Sequence, residues 1–379
     1  MSRVVVIILH AEPGPAAGPL EAGFADARRE NADRQARGFA ELGATVEVVA
    51  TSPSGPGYGP RLRALAEAHD LARAGTGSGL IVLGSGSIPL ARRPDRALFV
   101  AAATGTWRAS TKQSRNPADA ADRPAMLVNN RFSADILAVP AGADLGALPD
   151  VASDNGLPRW AAAHGMTVRD LHARWRLQVD LDSPLDVELV SDPRRQAAAD
   201  AFPWTRTIAG VLQRVRGVAA NPGAEVLVAG RSSSTTLRWV EEHTASRTRA
   251  LIEERGMKTA GRHQRPVRST LGLLLDRDGP DALATHVESL ADAAVIDTRV
   301  LMAHRFGRDE LAWPTAEDRF ASDLLLHDRI ADPWLRALTA SAAGSRVPIV
   351  LGGHTLVGPG LRLALRAPAA DDEDPGSGQ

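Results

Sequence analysis

The 379-residue chain contains no cysteine, which excludes disulfides, thiolate metal sites, iron–sulfur clusters and a cysteine nucleophile. Lysine is almost as scarce. Of 44 basic residues only Lys112 and Lys258 are lysines, and both fall in expected loops, so chemistry that needs an amine has two candidates. Anion binding is left to arginines, hydroxyls and helix N-termini. No apolar run approaches the roughly 18 residues of a membrane span. Met1-Ser2-Arg3 leads directly into Val4–Leu9 without signal-peptide architecture, so a cytoplasmic protein with no membrane partner is expected. Net charge is only −1, and nothing in it calls for nucleic acid. No short-period repeat is visible, which argues against a solenoid. What remains is ordinary for a globular protein, 44% hydrophobic and 23% charged, with a length that favours two domains.

The first half alternates strands and helices. Val4–Leu9, Thr45–Val49 and Gly79–Gly84 read as strands, and Phe24–Leu42 and Arg61–Ala74 as helices. Met126–Asn130 and Ile136–Val139 read as strands around a turn, Pro158–His164 and Val168–Arg174 as helices, and Gln178–Asp182 as a short strand. Trp107–Pro124 is polar, lacks a period and reads as a mobile loop. A second alternation follows. Its strands are 225–229, 248–253, 270–275, 294–297 and 347–351, and its helices 206–216, 234–243, 280–290 and 333–342. This pattern predicts α/β folds with mainly parallel sheets. The expected division is residues 1–192, residues 193–366, and an acidic tail, 367–379, too poor in apolar residues to fold.

Three segments of the first half carry candidate chemistry. Ser85, Gly86 and Ser87 follow a strand, placing small residues and free amides where ligands bind in an open α/β sheet. Asp180 and Asp182, two apart on an expected strand, share a face, and a carboxylate pair beside phosphate oxygens suits Mg²⁺. Ser153, Asp154 and Arg159 bracket an expected helix N-terminus that could recognise an anion. Asn130 and Asp135, flanking the turn between two strands, are further substrate candidates.

In this order the segments resemble the nucleotidyltransferases that make guanylylated cofactors: molybdenum-cofactor guanylyltransferase and, more closely, the phospholactate or phosphoenolpyruvate guanylyltransferases of deazaflavin cofactor synthesis. Asp182-Ser183-Pro184-Leu185-Asp186 matches that family's Asp-(Thr/Ser)-Pro-x-Asp, and Gly86-Ser87-Ile88-Pro89 its Gly-Asp-x-Pro. The resemblance covers about residues 1–190. It implies a GT-A-like Rossmann sandwich, Mg²⁺ held by Asp180 and Asp182, phosphates facing Ser85–Ser87, and an acceptor held by Ser153, Asp154 and Arg159. Two departures stand out. The family's metal-binding Asp is Ser87, and its basic nucleotide loop is replaced by His10-Ala11-Glu12-Pro13-Gly14-Pro15.

In the second half, Arg231, Ser232, Ser233 and Ser234 join a strand to a helix. Hydroxyls and amides at a helix start can cradle a phosphate, with Arg231 as a bidentate donor; the same serines can instead simply cap the helix. Asp276, Asp297 and Gly353-His354 each follow an expected strand, so they are expected at one sheet edge with the serine loop, covered by the segment holding Glu317, Asp318 and Asp323. Two functions follow. One is Mg²⁺-dependent transfer of a nucleotide to a phosphorylated small acid or cofactor precursor. The other is a catalytically degenerate ligand-binding or scaffold domain fused to a second α/β domain, itself expected to bind a phosphorylated ligand. Either is compatible with a homo-oligomer.

Overall fold

The computed structural model describes residues 3–52, 55–71, 77–107, 125–151, 153–191, 205–257 and 265–366. Both lysines, most of the expected loop before Pro124 and the acidic tail lie outside the described residues. The chain forms two compact units. The first comprises Met1–Ala16 and Ala25–Asp180, and the second Ala17–Phe24 and Leu181–Gln379.

The first unit runs β1 (Arg3–Ala11), α1 (Pro19–Ala40, whose first residues count with the second unit), β2 (Thr45–Thr51), α2 (Tyr58–Ala68), β3 (Ser78–Gly84), α3 (Arg93–Ala103), β4 (Ala125–Val128), β5 (Ile136–Val139), α4 (Leu157–Ala163) and β6 (Thr167–Asp170). Its sheet has the order β2-β1-β3-β5-β4-β6. Only β5 is antiparallel to its neighbours. The central strands are apolar through their middles, Val4–Leu9 and Leu80–Leu83, because both faces are covered. Val5, Ile7, Leu80 and Val82 pack with α2 and α4 residues such as Leu62, Trp160 and Ala161. The alternate residues Val4, Val6, Ile8, Ile81 and Leu83 pack with Ala32 and Phe39 of α1 and Phe99 of α3. Each fully buried aliphatic side chain contributes about 1.5–3 kcal/mol of transfer free energy. Gly79 is needed for the close approach of α3, since a Cβ there would lie 2.0 Å from the Ala103 carbonyl oxygen.

The second unit contains α5 (Pro184–Val190), α6 (Arg206–Ala219), β7 (Glu225–Gly230), α7 (Ser234–His243), β8 (Arg247–Ile252), α8 (Thr270–Asp278), α9 (Leu283–Glu288), β9 (Ala293–Asp297), α10 (Thr298–Phe306), α11 (Ala316–Asp323), α12 (Pro333–Gly344), β10 (Ile349–Gly352), α13 (His354–Val357) and α14 (Leu361–Leu365). Its four strands are all parallel, in the order β10-β9-β7-β8. One apolar cluster spans the unit and draws in Leu20 and Phe24 from near the start of the chain. Phe24 meets Phe320 edge-on at 5.0 Å between ring centres, and Glu317 accepts the amide hydrogens of Leu20 and Glu21 at 3.0 Å each.

Three expected elements are corrected. Residues 270–275 are helical, not a strand: Leu271 and Leu275, four apart, are buried while Leu273 is exposed, and Ser269 caps the first turn through the Gly272 amide. Val168–Arg174 is no helix; its start belongs to strand β6 beside β4. Gln178–Asp182 is no strand either. A 3₁₀ turn, Trp175–Gln178, is followed by a single antiparallel bridge between Asp180 and Ser87. Ser183 and Pro184 do begin α5, with Ser183 at its N-cap position and Pro184 in its first turn.

Candidate functional site

Each unit has one place where consecutive strands wind to opposite sides of a central strand, which opens a crevice at the strands' C-terminal ends. In the first unit the central strand is β1, between β2 and β3. Leu9 is level with Gly84, so the next residues, His10 and Ser85, emerge side by side. The Ser85 amide donates to the Leu9 carbonyl at 2.8 Å. His10 is 5% exposed and Ser85 fully buried, yet neither His10 Nδ1 nor Ser85 Oγ has a hydrogen-bond partner. Burial, and then Arg29 and Arg28 of α1, lower the His10 pKa, so its ring is neutral at pH 7.

The turn after β3 is held from the side by α1. Asn31 Nδ2 donates to the carbonyls of Ser85 (2.8 Å) and Ser87 (3.0 Å), and Gln35 Nε2 to that of Ile88 (3.0 Å). Buried Arg96 in turn donates to Gln35 Oε1 at 2.9 Å. Ile88 sits at φ 46°, costly for a β-branched residue and sustained only where the surroundings over-determine it. Asn129, at the end of β4, donates to Asp135 Oδ2 (2.8 Å) and the Leu177 carbonyl (2.9 Å). Asn130 accepts the Phe132 amide hydrogen. Asn155 accepts that of Ala134 at 3.0 Å, tying the 153–159 segment to the turn that carries Asp135. Ser85, Gly86, Ser87, Asn130, Asp135 and the 153–159 segment thus gather at this end of the sheet. Within that segment burial raises the Asp154 pKa, while Ser153 and Arg159 are exposed.

The resemblance implies that Asp180 and Asp182 hold Mg²⁺ as neighbours on one strand face. Asp180 belongs to the first unit and Asp182 to the second, and the strand meant to put them on one face is absent. Asp182 Oδ2 accepts from the Thr355 hydroxyl at 3.3 Å. Among the described residues no group of three or more His, Asp or Glu side chains could hold a metal ion. The Asp-Ser-Pro-x-Asp match works as a cap, since Asp186 Oδ2 accepts from the Asp182 amide (3.0 Å) and the Ser183 hydroxyl (3.1 Å).

In the second unit the central strand is β7, between β8 and β9. Gly230 ends it at φ 126°, and a Cβ there would lie 2.3 Å from Cβ of Asp297, so only glycine lets the two strand ends meet. Arg231 forks onto Asp297, Nε to Oδ2 at 2.6 Å and Nη2 to Oδ1 at 3.1 Å. That pairing commits the guanidinium expected to hold a phosphate. Burial works against the Asp297 charge, but Arg231 outweighs it, with His354 and Arg299 assisting, and the carboxyl stays below its ordinary range. Arg299 forks in turn onto buried Asp323. Burial opposes the Arg299 charge, and Asp323 and Asp297 more than offset that, raising its pKa. Asp186 shows the opposite balance: burial, then Asp182 and Asp323, push its carboxyl well above the ordinary value.

Arg231, Ser232, Asp297, Gly353 and His354 therefore share one edge, as expected, and Asp276 does not. It lies on α8, where it accepts from His304 Nε2 at 2.9 Å, because the segment before it is a helix. Sequence reasoning missed His10, Asn129, Arg299 and Asp186. For His10 a signal existed, a histidine closing a buried strand before a Gly/Pro loop. Asn129 and Arg299 show themselves through the distant partners Leu177 and Asp323, whereas Asp186 bonds Asp182 and Ser183 close by. The chain matches no family model, no curated protein and no solved structure.

Proposed function

We propose that the first unit is a nucleotidyltransferase-like, GT-A-like domain that binds a nucleotide or phosphorylated small molecule at the β1–β3 strand ends, and that it acts by binding and not by metal-dependent transfer. One observation carries this reading. His10 Nδ1 and Ser85 Oγ are buried, unpartnered and level with each other at the crevice. Buried polar atoms left unsatisfied cost about 1–3 kcal/mol each, and a neutral imidazole and a hydroxyl can both donate to phosphate oxygens. The braced turn with strained Ile88 supports the same place. The six-stranded sheet, parallel except for β5, supports the fold the resemblance implies. Ser87 in place of the family's Asp, and the capping role of Asp186, favour binding over turnover.

Thermal-shift and calorimetric titrations with GTP, CTP and UTP, each with Mg²⁺ and with EDTA, test it. The expected result is saturable binding to at least one nucleotide that persists in EDTA, weakens in H10A and S85A, and releases no pyrophosphate. Flat titrations for all three would refute ligand binding. Metal-dependent pyrophosphate release would restore the transferase reading.

A further inference from the structure

The second unit has its own unexplained buried group. Ser232 is fully buried, and its hydroxyl has no hydrogen-bond partner. It lies between Gly230-Arg231, which close onto Asp297, and Ser233, the N-cap of α7. Ser233 Oγ accepts the Thr236 amide hydrogen at 3.1 Å. The amides of Ser234 and Thr235 make no hydrogen bond among the described residues, and both residues are exposed, so the positive end of a ten-residue helix faces outward two residues beyond Ser232. The crevice between β7 and β9 is the winding reversal of this sheet. Its charges are settled internally. Arg231 cancels Asp297, and Arg299 cancels Asp323. His354, exposed at the end of β10, acts electrostatically on Asp297 at the same edge.

We infer that this edge is a second ligand site, independent of the one in the first unit, which takes the phosphoryl group of a small molecule. The Ser234 and Thr235 amides and the Ser232 hydroxyl donate to the phosphoryl oxygens, and His354 flanks the charge. Arg231 is no ligand donor here. It is the counter-ion that allows Asp297 to stand beside an anion. A hydroxyl kept for a ligand leaves a trace in stability: removing an unsatisfied buried donor should strengthen the fold.

The test uses the full chain and inorganic phosphate. Hydrogen exchange by mass spectrometry should show phosphate slowing exchange in the peptide covering 230–237, in the wild type and equally in H10A/S85A, which separates this site from the first. S232A should melt at a higher temperature than the wild type and bind phosphate at least about tenfold more weakly. H354Q, altered at an exposed side chain, should fold normally and weaken binding. The inference is overturned by no phosphate protection at 230–237, by unchanged affinity in both S232A and H354Q, or by a lower melting temperature for S232A, which would mean the hydroxyl has a structural role. Loss of the 230–237 protection in H10A/S85A would equally assign the anion to the first unit.

Discussion

Replacing Arg231 with methionine tests the electrostatic frame of the second unit. The Asp297 side chain is 0% exposed and that of Arg231 9%, so the variant strands a carboxylate at the sheet edge without its main counter-ion. Breaking a buried pair from one side costs about 3–5 kcal/mol. The lost contacts give a similar figure, two charge-assisted hydrogen bonds of about 1.5–3 kcal/mol each. The Arg299 amide still donates to Asp297 Oδ1 at 3.2 Å, which favours the lower half of that range. At roughly 1.4 kcal/mol per decade, opening of β7 and β9 should become more frequent by about two to three decades. Hydrogen exchange read on peptides from Glu225–Gly230 and Ala293–Asp297 measures this without requiring the two units to unfold together. The cost should also depend on pH. In the wild type the depressed Asp297 pKa contributes stability above the ordinary carboxylate range, and that contribution is lost as pH falls. Without Arg231, burial raises the carboxyl instead, so the variant regains stability as pH falls and differs less from the wild type at pH 4.5 than at pH 7.5. Adding D297N should recover at least half of the loss. Exchange in β7 within tenfold of the wild type at pH 7.5, or a cost that grows on acidification, would refute the reasoning.

Asp186, whose carboxyl is pushed up by burial and by Asp182 and Asp323, carries the opposite sign: its protonated form favours the fold, and that stability is lost as pH rises through the raised pKa. D186N should therefore match the wild type near pH 4 and become the more stable protein toward pH 8, as urea titrations across that range would show. Gly230→Ala places a Cβ against Asp297 at positive φ, and a loss of at least about 1–3 kcal/mol is expected, measured by the same exchange peptides. E317Q removes the charged acceptor of the Leu20 and Glu21 amides and should cost about 0.5–2 kcal/mol, seen as faster exchange confined to the start of α1.

Buried parallel strands were legible because both faces need apolar residues. Val4–Leu9, Glu225–Ala229 and Ala294–Ile296 are runs with nothing else to be. The same logic misled at Thr270–Leu275, where a short apolar run does not reveal its period; Ser269, capping through Gly272, was the helix signal. Helix α3 was passed over although Asp95 stands three residues after Arg92 and accepts its amide hydrogen at 2.9 Å. At the sites, strand ends could be located from sequence, which is why Ser85, Ser232 and Asp297 were placed well. Their partners could not. That Arg231 serves Asp297, and that Arg299 serves Asp323, depend on distances between residues far apart in the chain.

The short stretch 17–24 that completes the second unit has a consequence for synthesis. Leu20 and its acceptor Glu317 are 297 residues apart. At about 5–20 residues per second the stretch waits roughly 15–60 s for its partner to be made. Throughout that interval Leu20 and Phe24, both buried in the finished protein, have no core to enter. The second unit cannot be completed on the ribosome in the usual order, and a fragment that begins after residue 180 lacks two of the side chains that fill it.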